Sequence, residues 1–251
     1  MHLIQQEEPS EEFQAAWLAA GKHIQSQSDG GVNWIRADLG MPFIEHLSFR
    51  LGNQLFFVFV EAAEFELACM YEEFIRLSKI ANAIPCVLKM EKAIASYKPS
   101  HTGWGLTHAD SNEPVDPLAM VSEELIEMTD WELHDFAINI VKRKLREEGK
   151  NVYSTCSDFA IQPSLWFEEN GEDNWVVINA YRHPNALTGP PEDIEKIAEF
   201  VSVRNANGYF AIVGIVNSND PLDPEAQVNG NYLPIFRGHG MFVRFNGIQL
   251  A

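Results

Sequence analysis

Residues from about Phe13 to Leu106 can be laid over residues from about Phe136 to Phe245, with similar side chains arriving in the same order. A chain that repeats itself over so long a unit must bury two related cores, whereas solenoid repeats run to only about 20–50 residues. Several separate anchors carry the match. Asp38 follows Val32 by six residues, as Asp158 follows Val152. Leu47 and Phe49 meet Leu165 and Phe167, and Glu61 meets Asn179. Further on, "ANAIPCVLKM" (81–90) reads against "ANGYFAIVGI" (206–215), and "YKPSHTGWG" (97–105) against "YLPIFRGHG" (232–240). The last pair shares Tyr-x-Pro-x-x-x-Gly-x-Gly without a gap.

Each copy resolves into the same series of elements. Ser10 predicts the N-cap of a first helix, with Phe13, Ala16, Trp17, Ala20 and Ile24 recurring at helical spacing. Its counterpart has Thr129 and Glu132 in capping-box spacing, a stripe of Leu133, Phe136, Ile140, Val141 and Leu145, and a terminating Gly149. Lys142, Arg143, Lys144 and Arg146 fall in its last turns, where cations complement the helix dipole. Short strands follow at 32–38 and 152–158, then hairpins turning at Gly52-Asn53 and Asn170-Gly171. The second hairpin strands, 56–60 and 175–178, are apolar at consecutive positions, as expected of strands covered on both faces. A second helix (about 71–82 and 191–204) and a further strand (86–90 and 210–216) complete each copy. The expectation is an α/β (α+β, mixed-sheet) fold: a tandem duplication of an α-β-β-β-α-β unit with pseudo-two-fold symmetry. The first domain would span 1–106, a linker 107–128, and the second domain 129–251.

The formal charge of −18 is shared between the copies: residues 1–117 carry 8 basic and 16 acidic side chains, and residues 118–251 carry 10 and 20. Such a surface repels phosphate backbones, whose binding depends on Lys and Arg, and so disfavours direct contact with nucleic acid. It favours a basic protein partner. Cys69, Cys86 and Cys156 are an odd, scattered set, unlike a disulfide framework or a zinc knot, and suit a reducing compartment. The start of the sequence is polar and acidic rather than signal-like, and the longest apolar run, 55–60, falls far short of the ~20 residues needed to cross a bilayer. Cytoplasmic residence and no membrane association are the expectations.

The order helix, strand, hairpin, helix, strand resembles the common core of the restriction-endonuclease-like, PD-(D/E)xK, superfamily. In that family an acid on the second core strand and a Glu-x-Lys or Asp-x-Lys on the third bind Mg²⁺ and orient a water for phosphodiester cleavage. The resemblance implies Asp38 and Glu61 as the acids of the first copy, with Ala63 at the lysine position. In the second copy it implies Asp158, with Asn179 and Tyr181 at the remaining positions. Carboxylates suit a hard cation and lysine suits activation of the nucleophile, so both sets are incomplete. The alternative role for Asp38 and Asp158 is to end a strand as turn or cap residues.

His101, His108 and Asp110 match no zinc spacing. No nucleophile elbow and no phosphate-binding glycine loop is present. The repeated Tyr-Pro-Gly-Gly loops remain, with two open readings. As paired binding loops they would present Tyr97, His101 and Trp104 in one copy and Tyr232, Arg237 and His239 in the other. As structural turns they would close each copy. The sequence thus points to a non-catalytic, acidic interaction protein without a cofactor, such as an adaptor, a chaperone-like partner or an inhibitor, and allows a homodimer. The competing expectation is an Mg²⁺-dependent phosphodiesterase using Asp38 and Glu61.

Overall fold

The structure is a computed structural model and describes residues 9–37, 39, 46–62, 68–94, 96–158, 160–185, 189–202, 206–223, 225 and 229–251. The chain forms two compact units, one of the described residues up to Ile126 and one from Glu127 to Ala251. The amino-terminal unit runs α1 (Glu11–Ser26), β1 (Asn33–Arg36), β2 (His46–Leu51), β3 (Gln54–Ala62), α2 (Ala68–Ile80), β4 (Ile84–Lys92), β5 (Tyr97–Pro99), β6 (Leu106–His108) and α3 (Pro117–Met120). The carboxy-terminal unit runs α4 (Asp130–Glu147), β7 (Asn151–Thr155), β8 (Leu165–Glu169), β9 (Glu172–Arg182), α5 (Ile194–Val201), β10 (Asn207–Asn217), β11 (Met241–Phe245) and β12 (Gln249–Leu250). Both therefore contain the expected α-β-β-β-α-β order within a mixed α/β fold. No described helix is long and apolar enough to cross a membrane.

Local signals account for the helix starts. The Ser10 hydroxyl accepts from the Phe13 amide at 3.2 Å, satisfying one of the amides that the first helical turn leaves without a partner. Thr129 and Glu132 close a full capping box on α4. The apolar stripe of α1 packs on the sheet through Phe13, Ala16, Trp17, Ala20 and Ile24, all buried. Opposite them lie Leu47, Phe49, Phe56, Val58 and Val60 of β2 and β3. The α4 stripe covers Leu165, Phe167, Val176, Ile178, Ala211 and Val213 in the same way. Burying each such side chain is worth about 1.5–3 kcal/mol, so the two faces supply most of the favourable term in each unit.

Each unit holds a six-stranded mixed sheet, ordered β1-β2-β3-β4-β5 and β7-β8-β9-β10-β11, with β6 also on β4 and β12 also on β10. In both, the third strand runs parallel to the fourth and the other pairings are antiparallel. The same β-bulge recurs: Ile35 is the extra residue between Trp34 and Arg36, and Tyr153 between Val152 and Ser154. A bulge is a specific irregularity, and its repetition is consistent with duplication.

Strand register corrects three of the sequence anchors. Trp34 faces Phe49 as Val152 faces Phe167, so the counterpart of Val152 is Trp34, two positions from Val32. Leu88 lies beside Val60 as Ala211 lies beside Ile178, so the alignment of 81–90 with 206–215 is also two positions out. A slip of two keeps every side chain on its own face, which is why apolar patterning did not reveal it. The Tyr-Pro-Gly-Gly anchor fails outright. Tyr97–Pro99 is a strand on β4 whose counterpart on β10 is Val243–Phe245, whereas Tyr232–Gly240 precedes that strand. The pairs Leu47 with Leu165, Phe49 with Phe167 and Glu61 with Asn179 do hold the same register.

The stretch read as a linker is hydrogen-bonded into the amino-terminal unit up to Glu124. Val115 N donates to Leu106 O at 2.9 Å. The side-chain amide of Asn53, at the hairpin turn, donates to Ser122 Oγ at 3.0 Å and to Glu124 O at 2.9 Å.

On the α2 side of the first sheet, His46 is fully enclosed and stacks on Phe57 with ring centroids 4.5 Å apart. Neither ring nitrogen has a hydrogen-bond partner among the described residues. Burial, assisted by the Arg36 charge, pushes its pKa down to about 3. The native imidazole therefore stays neutral while the unfolded one protonates near 6.5. Its contribution to stability is complete above about pH 6.5 and is lost as pH falls toward 3. The variant His46→Phe keeps the stack without the titratable group, so its melting temperature should fall less steeply than that of the wild type below about pH 6.5. Thermal melts between about pH 4 and pH 7.5 check this, and parallel acid limbs would contradict it.

Candidate functional site

The positions implied by the nuclease resemblance differ in chemistry between the two sheets. Asp38 and Ala63 lie outside the described residues. Glu61, near the end of β3, sits in register with Lys89 of the parallel neighbour β4, and Lys89 Nζ is 3.4 Å from its carboxylate. Both side chains are about half exposed. The nearby phenol of Tyr71 donates to Ala109 O at 3.0 Å. Burial, and then the carboxylates of Asp110 and Glu61, raise its pKa above the ordinary range. Asp158 is buried, and its carboxylate accepts from the Ala160 amide at 2.9 Å in an Asx turn; this is the strand-ending role expected of such a residue.

Strand alternation places Asn179 and Tyr181 on the face of β9 opposite Ile178 and Ala180, which pack toward α4. Tyr181 lies across Gly214 of β10, its register neighbour. A Cβ at Gly214 would sit 2.4 Å from the phenol oxygen, so the absence of a side chain there makes room for the ring. Two neutral side chains therefore stand where the resemblance calls for an acid and a lysine.

A cleft of about 720 Å³ opens at the carboxy-terminal end of β9 in the second unit. Its walls come from Asp130, Leu133 and His134 at the start of α4, from Gln162, from residues 178–182 of β9 and from Asn185. Ligands in open α/β sheets bind at the carboxyl ends of parallel strands, and β9 and β10 are such a pair. Arg182 is held across the mouth by the Asp130 carboxylate and the Met128 carbonyl. His134 is buried, and desolvation pushes its pKa down to about 4, so it presents a neutral imidazole at neutral pH. The cleft offers amide, guanidinium and carboxylate groups suited to polar recognition, with the His134 ring enclosed in its wall. Among the described residues, no group of three or more His, Cys, Asp and Glu is placed to hold a metal ion.

The start of α4 is fixed by a buried ion pair. Arg237 Nε lies 2.9 Å from Glu132 Oε1, and Nη2 lies 2.9 Å from Oε2. The same carboxylate accepts from the Thr129 amide at 2.9 Å to complete the cap. Met128 N donates to Ile235 O at 2.8 Å, and Asn217 Nδ2 donates to Pro234 O at 2.7 Å. The 232–240 loop is thereby tied to both α4 and β10.

The six loop residues proposed as contact groups divide accordingly. Trp104 is buried and stacked on Phe49 at 6.2 Å, and Tyr97 packs against the same core. His101 is exposed, with its Nδ1 3.0 Å from Ser100 Oγ. His108 Nδ1 accepts from the Asp110 amide at 3.2 Å within its own turn. Tyr232 and His239 are exposed, whereas Arg237 is enclosed with Glu132. Trp104 and Arg237 therefore serve their cores, leaving His101, Tyr232 and His239 at the surface. His134 and Arg182 of the cleft were missed by the sequence reading. A histidine two residues beyond a capping-box glutamate is a faint signal, and the cleft arises only when the end of β9 meets the start of α4.

A family model described as a domain of unknown function, DUF8840, matches residues 131–251, which lie within the second unit. Comparison of the chain with curated proteins and with solved structures gives no match.

Breaking a buried ion pair by removing one partner costs about 3–5 kcal/mol, so Arg237→Ala should lower the unfolding free energy of the carboxy-terminal unit by that much. Arg237→Met combined with Glu132→Met removes both charges and should recover all but about 1 kcal/mol, the share of the lost cap. Urea unfolding of the two variants checks both values. Equal losses would show that the charge left behind is not the cause.

Proposed function

We propose that this protein is a non-catalytic, acidic binding protein of the cytoplasm that engages a basic protein partner. The observation that carries the reading is the pairing of Glu61 with Lys89, together with Asn179 at the same register position of the second sheet. A half-exposed carboxylate paired with an ammonium, or a lone amide, does not make up the several anionic or carbonyl oxygens at about 2.0–2.6 Å through which a hard divalent cation binds. Among the described residues neither position gathers such a ligand set, which metal-assisted attack on a phosphodiester requires. The −18 charge supplies the positive side of the argument, because charge complementarity sets encounter rate and partner choice. The cleft beside His134 gives the second unit a place to read polar groups of the partner.

The test has two arms. Purified protein with Mg²⁺ or Mn²⁺ and a phosphodiester substrate should show no hydrolysis above the protein-free rate. Metal-dependent cleavage that disappears in Glu61→Gln would overturn the reading in favour of a phosphodiesterase. Affinity capture from the native host should recover a protein of net positive charge that is released by rising salt, since screening weakens such attraction. Recovery of bait alone, or of partners indifferent to salt, would count against it.

A further inference from the structure

Strand β11 is the outermost strand of the second sheet, and it lacks the bulge, the proline and the short length that guard the other edges. Unpaired strand edges invite pairing with another chain, and natural proteins blunt them with bulges, proline, lysine or short length. Both β1 and β7 carry a bulge. Strand β5, the counterpart of β11 in the first sheet, is three residues long and contains Lys98 and Pro99. Strand β11 is five residues, Met-Phe-Val-Arg-Phe, with no proline, and Arg244 holds the position of Lys98. It exposes Phe242 at 58% and Val243 at 37%.

The ladder defines which backbone groups are open. Ile215 O accepts from His183 N on the β9 side, so Ile215 turns its amide and carbonyl away from β11, and Gly214 and Val216 turn theirs toward it. Their partners Arg244 and Phe242 are consumed by that pairing. The amides and carbonyls of Met241, Val243 and Phe245 point outward from the sheet. Three consecutive outward residues offer a complete template for one more antiparallel strand.

We infer that the occupant of this edge is β11 of a second copy of the chain, paired antiparallel about a two-fold axis at Val243. Charge selects the copy over a basic peptide at this edge. Residues 226–251 contain two arginines, one histidine and no acidic side chain, in a chain of net charge −18. Two such acidic molecules repel each other over most of their surfaces and can approach closely where carboxylates are lacking. Self-pairing is also complementary in register. Val243 meets the partner's Val243, Met241 meets the partner's Phe245, and Arg244 meets the partner's Phe242. The outward residues then exchange hydrogen bonds with one another. On the other face each guanidinium lies beside an exposed ring, a favourable cation–π arrangement. An isologous contact of this kind closes at two copies and joins the two edges into one continuous sheet.

Sedimentation equilibrium of the full chain should show a monomer–dimer equilibrium that tightens as salt screens the net repulsion, the opposite of the salt response expected for a basic partner. Val243→Pro removes only an outward amide. It should raise the dimer dissociation constant ~30-fold, from two unsatisfied carbonyls per dimer, and leave the circular dichroism and melting temperature of the monomer unchanged. Arg244→Glu should also weaken the dimer, and adding Phe242→Lys should restore it, because the new charges face each other across the axis. A wild-type protein that remains monomeric at high salt overturns the inference. So does a dimer that ignores Val243→Pro, a double variant without rescue, or a heterologous strand found on this edge.

Discussion

The buried pair of Arg237 and Glu132 organises the carboxy-terminal unit. One carboxylate accepts from the guanidinium and from the amide at the helix start, so the loop at 232–240 and the first turn of α4 cannot move independently. That turn carries Asp130, Leu133 and His134 into the cleft, and Asp130 in turn holds Arg182. An ion pair in a dry interior is weak support for stability as such, because desolvation offsets attraction. Its effect here is positional. Two charges that must satisfy each other leave the loop a single arrangement.

The two units show how a duplicated sheet diverges without losing its plan. Strand order, the parallel step between third and fourth strands, and a bulge at one register position are all repeated. The side chains on the second face are not. The first sheet places His46 and Phe59 against Phe74 of α2, with Phe57 stacked on His46, and the second places Trp175 and Val177 against Ile194, Ile197 and Val201 of α5. Backbone pairing constrains every strand, whereas each covering helix constrains only the face it touches, so the faces have been free to vary while the ladders have not.

The same freedom bears on function. At one register position the first sheet has Glu61 beside Lys89, and the second has Asn179 beside Ile212. Among the described residues, no group of three or more His, Cys, Asp and Glu is placed to hold a metal ion at either point. The second unit has a polar cleft walled in part by a neutral imidazole, and an apolar edge in a stretch without acidic side chains.

The starts of α1 and α4, turn positions, doubly buried strands and the α-β-β-β-α-β order were legible in the chain, because each depends on a local signal such as Ser10, the Thr129–Glu132 pair, Gly52-Asn53 or Asn170-Gly171, whereas α2 and α5 begin about three residues from where they were expected. Register was not, since a two-residue slip conserves the face of every side chain and leaves the apolar pattern intact. The Tyr-x-Pro-x-x-x-Gly-x-Gly match misled for a related reason: identical turn-forming residues were placed at different points of the two sheets, one within an edge strand and the other before one. The sequence alone determined the α-β-β-β-α-β series of each copy, but not the strands β5, β6, β11 and β12 or the short helix α3. Only the tertiary structure decided that Trp104 and Arg237 belong inside, that Glu61 faces a lysine, and that the end of β9 opens beside His134. Those outcomes depend on contacts between residues up to about a hundred positions apart, which no local pattern encodes.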